Sequence, residues 1–223
     1  KQGGIAALDL ATGEKRWSRN IPTLVHSSPA YAKRRGLVVV GSTEGVVYAF
    51  DAKSGEPQWT YKTDGAVRAG FSIDEERGFV CFGSEDKHIY VLDTRDGARV
   101  HAIETLEPVY STPFARDGKL YCGLLDKRII RIDLTSGAVE WVFWTSSRVF
   151  SMPMIADDRL YAGGNDGRLY ELDPETGRET GFFQATERIV NAIAYNPRTK
   201  RFFVPTYANE LYCLKRDDSA EHD

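Results

Sequence analysis

A segment of the form apolar-Asp-x-x-[Ser/Thr/Asp]-Gly recurs along the chain, setting Asp9, Asp51, Asp93, Asp133 and Asp173 at intervals of 42, 42, 40 and 40 residues. Gly13, Gly55, Gly97, Gly137 and Gly177 close the five copies, and a degraded sixth places Lys215 in the Asp position, 42 residues after Asp173. A fixed period of this length marks stacked copies of one supersecondary unit, each too small to bury its apolar faces alone. No other feature narrows the fold as far.

The motif explains itself physically. An Asp carboxylate accepts backbone N–H groups across a turn, and a Gly four residues later takes a positive φ without a Cβ clash. Eight residues after three of these Asp residues stand Trp17, Trp59 and Trp141, while the third copy carries His101 and the fifth Gly181. Each Trp returns a large apolar surface to a neighbouring repeat, and its N–H needs a partner there. A reading of the five Asp residues as metal ligands or catalytic carboxylates is set aside, because they recur once per repeat at a hairpin turn.

Between these turns lie short β-rich runs such as Leu37-Val38-Val39-Val40, Gly78-Phe79-Val80-Cys81-Phe82 and Leu120-Tyr121-Cys122. Polar turns follow, and then apolar segments such as Val46-Val47-Tyr48-Ala49-Phe50 and His88-Ile89-Tyr90-Val91-Leu92. No stretch sustains a 3.6-residue apolar period, so helices are expected to be nearly absent. Four short antiparallel strands per period of about 40 residues are the signature of a propeller blade, and blades must stack to cover both faces.

The pattern Ala-x-Asp-x-x-[Ser/Thr]-Gly-x-x-x-Trp, with Val25-His26-Ser27-Ser28-Pro29 before the next strand, resembles the tryptophan-docking repeat of pyrroloquinoline-quinone-type (PQQ-like) propellers. The resemblance covers residues 5 to 215. It implies an all-β propeller of four-stranded antiparallel blades, and it leaves function open, because such repeats serve in quinoprotein dehydrogenases and in non-enzymatic scaffolds.

Naming the strands a to d from the axis outward, strands a are expected to begin at Val25, Val67, Val109, Val149 and Val190. One strand c is surplus, because Gly4-Ile5-Ala6-Ala7-Leu8 precedes the first full repeat and Leu211-Tyr212-Cys213-Leu214 ends the last. The simplest closure pairs the N-terminal outer strand, near Trp17, with the C-terminal blade, giving five blades. The alternative is an excised part of a larger propeller. The expected organisation is one domain over 1–215 and an acidic disordered tail over 216–223.

Composition sets limits on function. Net charge is −3 with both signs dispersed, which argues against a nucleic-acid surface or a polybasic membrane anchor. No window reaches the roughly 18–20 consecutive apolar residues of a membrane span. The chain begins at Lys1 rather than Met, so the lack of a signal segment says little about origin. Cys81, Cys122 and Cys213 show no CxxC or CxxH spacing and are read as buried free thiols, without disulfides or zinc. Unpaired cysteines fit a reducing cytoplasm, while relatives in the resembled family are often periplasmic, so the compartment stays open.

Propeller enzymes set carboxylates about the axis to hold calcium or to act as acid and nucleophile. The five expected a segments contain no Asp or Glu. The vicinal cysteine pair of the quinoproteins is also missing, and those enzymes are much longer. The four histidines, His26, His88, His101 and His222, stand in no catalytic motif. No catalytic residue, metal or cofactor is therefore expected.

A binding or scaffold module remains, with a protein or peptide as the expected partner. At one equivalent position the repeats carry five different side chains, His26, Arg68, Tyr110, Phe150 and Asn191, with Arg148 beside Val149. If strand a starts at the channel mouth, these residues ring it and are suited to a peptide or small anionic ligand. The bland counterpart is solvated channel lining with no ligand.

Overall fold

The computed structural model describes residues 3–216, and all regular structure among them is β-strand. Of the expected tail, 216–223, all but the first residue lies outside the described residues. A hairpin of β1 (Gly3–Leu8) and β2 (Lys15–Ile21) is followed by four four-stranded antiparallel sheets. The first holds β3 (Ala30–Ala32), β4 (Leu37–Gly41), β5 (Val46–Asp51) and β6 (Pro57–Lys62). The second holds β7 (Phe71–Asp74), β8 (Phe79–Gly83), β9 (His88–Asp93) and β10 (Arg99–Glu104). Next come β11 (Phe114–Arg116), β12 (Lys119–Gly123), β13 (Arg128–Asp133) and β14 (Val139–Trp144). The fourth holds β15 (Met154–Ala156), β16 (Arg159–Gly163), β17 (Arg168–Leu172) and β18 (Glu179–Gln184). A three-stranded sheet of β19 (Ala194–Asn196), β20 (Arg201–Pro205) and β21 (Leu211–Lys215) ends the described chain.

Every strand pairs with the one that follows it within its sheet. β2 is hydrogen-bonded to β1, the strand that the repeat count left over. A short local turn connects β1 to β2, so their pairing carries a far smaller loop-closure cost than a pairing across the chain.

The five Asp turns share one geometry. In each, the Asp carbonyl accepts the Gly N–H at 2.8 or 2.9 Å. The five glycines have φ between 70° and 74°, a conformation that other residues adopt only with strain. The side-chain Oδ1 accepts two backbone N–H groups at four of the turns, from Lys53 and Ser54 at Asp51 for example. At Asp93 it accepts the N–H of Arg95 together with that residue's guanidinium.

Burial follows the position of a strand in its sheet. In β9 five consecutive residues, Ile89 to Asp93, are buried, because both faces of an inner strand are covered. β14 and β18 alternate in the manner of half-solvated outer strands. The chain forms two compact units, Lys1–Tyr121 with Ile132–Glu140, and Cys122–Arg131 with Trp141–Asp223. The core of the first gathers Val39, Val47, Trp59, Phe71, Phe82 and Leu92. That of the second gathers Tyr161, Leu169, Ile189, Phe202 and Val204.

Within each unit, indoles dock on glycine turns. Trp17 lies against Gly55, Trp59 against Gly97 and Trp141 against Gly177, and His101 takes the same place against Gly137. The indole N–H groups donate to Ala52 O, Thr94 O and Pro174 O, each at 3.0 Å. His101 Nε2 lies 3.2 Å from both Leu134 O and Thr135 O. Cys81 and Cys122 are buried as expected, whereas Cys213 is exposed. It sits on β21, the last strand of its sheet among the described residues, where the burial pattern alternates.

Candidate functional site

The segments read as inner strands are extended lead-ins, and the strands themselves start later: β3 begins at Ala30, whereas Val25 makes an isolated bridge to Ser42. Each lead-in is held by its apolar residue. The N–H of Val67 donates to Ser42 O, Val109 to Ser84 O, Val149 to Leu124 O and Ile189 to Gly164 O, at 3.0 or 3.1 Å. Their side chains press on Gly41, Gly83, Gly123 and Gly163, where a Cβ would stand 2.2–2.4 Å from the nearest side-chain atom.

The fifth repeat is thus anchored by Ile189, not Val190. Phe150 has its equivalent in Val190, and Asn191 falls in the place of Ser111 and Ser151. Ser151 clamps Gly163 with two hydrogen bonds, at 2.7 and 3.0 Å. Asn191 therefore leaves the set of variable positions, and Arg188 becomes the counterpart of Arg148. The two match in detail, since Arg148 O accepts from Asn165 N and Arg188 O from Tyr207 N. The Arg188 guanidinium lies 3.7 Å from the centre of the Tyr207 ring.

In the first unit, His26, Arg68 and Tyr110 are exposed. Arg68 and Tyr110 come together through Glu85, which receives Arg68 Nε at 2.6 Å and is hydrogen-bonded by the Tyr110 phenol. Burial first, and then Glu85, raise the Tyr110 phenol above its ordinary value. In the second unit Arg148 and Asn191 are exposed and Phe150 is half-buried, with Arg148 and Phe150 flanking the buried Val149. Sequence reasoning missed Glu85. It stands in the turn after β8, in a column that reads Thr43, Glu85, Leu125, Asn165 and Tyr207, as variable as the column beside it. Among the described residues, no group of three or more His, Cys, Asp or Glu side chains gathers as a metal site.

The second unit also holds a cavity of about 620 Å³ walled by Tyr161, Leu169, Phe182, Phe183, Phe202 and Leu214. Its origin lies in the repeat. In the first two hairpins Ala7 faces Trp17 and Ala49 faces Trp59, and in the third Val91 faces His101, whereas here Glu171 faces Gly181. A Cβ on Gly181 would meet nothing nearer than Glu171, at 3.9 Å. Glu171 Oε2 accepts from the Tyr161 hydroxyl and Oε1 from the Thr180 hydroxyl, both at 3.0 Å. Arg216 Nε and Arg159 Nε lie 3.6 and 3.8 Å from Oε1. Burial, followed by the charge of Glu171, pushes the Tyr161 phenol up.

Residues 1–106 and 44–214 match a protein-family model described as outer membrane protein assembly factor BamB. The chain belongs to this family. Among solved structures, BamB from Moraxella catarrhalis is 20% identical, with a TM-score of 0.78 over 92% of this chain and 65% of that one. A chain in the crystal structure of a mitotic checkpoint complex is 16% identical, with a TM-score of 0.83 over 98% of this chain and 69% of that one. These likenesses establish the β-propeller fold of PQQ-like repeats. The chain spans less than two thirds of the Moraxella BamB chain. A search of curated proteins gave no match.

Proposed function

We propose that this chain is a non-catalytic binding module that holds a protein or peptide partner within a larger assembly. The observation that carries the reading is membership of a family described as an outer membrane protein assembly factor, with the match running over most of the chain. The chemistry of the lead-ins supports it. Exposed Arg68 and Tyr110 and half-buried Glu85 form a mutually oriented cluster of cation, phenol and carboxylate, a combination that recognises a polar backbone or a charged side chain without any activated nucleophile. Arg and Tyr are also the residue types that dominate binding hot spots.

The test is a pull-down with the wild type and with an Arg68→Ala/Tyr110→Ala double variant. The wild type is expected to retain partners that the double variant loses, and identical partner sets for both would remove this cluster from the reading. A quinoprotein role is the competing reading. If it holds, calcium with pyrroloquinoline quinone raises the melting temperature, as any ligand of the native state must; the binding-module reading expects no shift.

A further inference from the structure

We propose that the cavity beside Gly181 receives an aromatic side chain of a partner protein flanked by carboxylates, an inference that rests on the binding-module reading and adds to it a site and a partner chemistry. The shape argument comes from the repeat itself. At this place in the hairpin Trp17, Trp59 and Trp141 each send an indole onto the glycine turn of another repeat of their own unit. The fifth repeat keeps the strand pairing, with Glu171 opposite Gly181, but supplies no ring. The walls that remain, Tyr161, Phe182, Phe183 and Phe202, are aromatic. Tyr161 and Phe202 already pack against each other, tilted by 49° with centroids 4.5 Å apart, in the range favoured by aromatic pairs. A cavity of about 620 Å³ exceeds what one ring needs, so the chain on either side of that ring can enter as well.

Charge selects the flanking residues. Arg159, Lys215 and Arg216 line the cavity with one carboxylate, Glu171, on whose Oε1 both arginines converge at 3.8 and 3.6 Å, and Lys215 stands exposed beside them. Glu171 is held by the Tyr161 and Thr180 hydroxyls, so its orientation is fixed before any ligand arrives. The surplus of positive charge favours a segment in which Asp or Glu adjoins the aromatic residue, and disfavours one flanked by Lys.

Fluorescence anisotropy with a fluorescein-labelled Gly-Glu-Trp-Asp-Gly peptide tests the site. Saturable binding is expected, at least tenfold tighter than for Gly-Glu-Ala-Asp-Gly or Gly-Lys-Trp-Lys-Gly. Gly181→Trp, which supplies the ring from within, is expected to weaken binding at least tenfold while the melting temperature holds or rises. Lys215→Glu, at an exposed position, is expected to weaken it without touching the fold, and so decides the matter if Gly181→Trp does not fold. No binding of the acidic Trp peptide, or equal binding by wild type and Lys215→Glu, overturns the proposal. Should the peptide fail while the Arg68→Ala/Tyr110→Ala variant still loses its partners, the cavity falls and the binding module stands. Should the peptide bind while the pull-down finds no difference, the cavity stands and the lead-in cluster falls.

Discussion

At each of the repeat turns one carboxylate oxygen organises the backbone that follows it, and the environment of that carboxylate is correspondingly cationic or rich in N–H donors. Hydrogen bonds from the Arg16, Arg95 and Lys119 side chains lead in lowering the carboxyls of Asp9, Asp93 and Asp133. The backbone N–H groups of Ser54 and Thr176 lead at Asp51 and Asp173. A carboxyl lowered in the folded state contributes stability above its unfolded value, about 4, and that contribution disappears as pH falls through the folded value. The melting temperature is therefore expected to hold from neutral pH to about 5 and to drop below about 4, with Asp93→Asn flattening the acid limb. Asp93 is 9% exposed and binds both the N–H and the guanidinium of Arg95. Asp93→Ala is expected to cost about 1–3 kcal/mol in urea unfolding, because it strands donors as well as removing an acceptor. These turns were legible in the sequence, since Asp and Gly at fixed spacing have a local mechanism. Glu85 was not, because its role depends on a lead-in and a turn that meet only in the folded sheet.

The docking of one hairpin on a glycine turn sets the scale at which the elements depend on one another. Trp59 fills its socket, is 9% exposed and bonds Thr94 O, whereas His101 occupies the same place with a smaller ring. Trp59→Ala is expected to cost about 3–5 kcal/mol, the range for large aromatic truncations. His101→Ala is expected to cost clearly less, and equal losses in urea midpoint would show that the socket, rather than the ring, carries the energy. Element boundaries were the part of the fold that sequence reading placed least well. Val25, Val67, Val109 and Val149 each stand 16 residues after their repeat Asp, and so does Ile189, whereas Val190 stands 17 after Asp173. Matching residue type instead of spacing shifted that lead-in by one position, turning the counterpart of Ser151 into a supposed ligand contact. The constant offset was the available signal. It is physical, because an outer strand of six or seven residues fills the distance from turn to lead-in in every repeat.

For the molecule as a whole, the repeat count gave the five successive sheets and the near absence of helix, while the pairing of the surplus strand β1 with β2 became visible only in the structure. The thiols carry this reading into solution. Cys81 and Cys122 lie on the inner strands β8 and β12 at 0% exposure, and burial drives the Cys81 thiol far above its ordinary value. Neither presents a thiolate to a reagent unless its sheet opens. Cys213 is exposed on β21, with the Arg201 guanidinium 4.0 Å from its sulfur. Ellman's reagent at pH 8 is thus expected to label one thiol per chain in the native protein and three in denaturant, and Cys213→Ser to abolish the native reaction. Labelling of Cys81 and Cys122 is expected to slow as the opening equilibrium becomes less favourable, so adding urea below the transition speeds it while leaving the Cys213 rate unchanged. Two rapidly reacting thiols in the native protein would mean that β8 or β12 is not the covered inner strand described here.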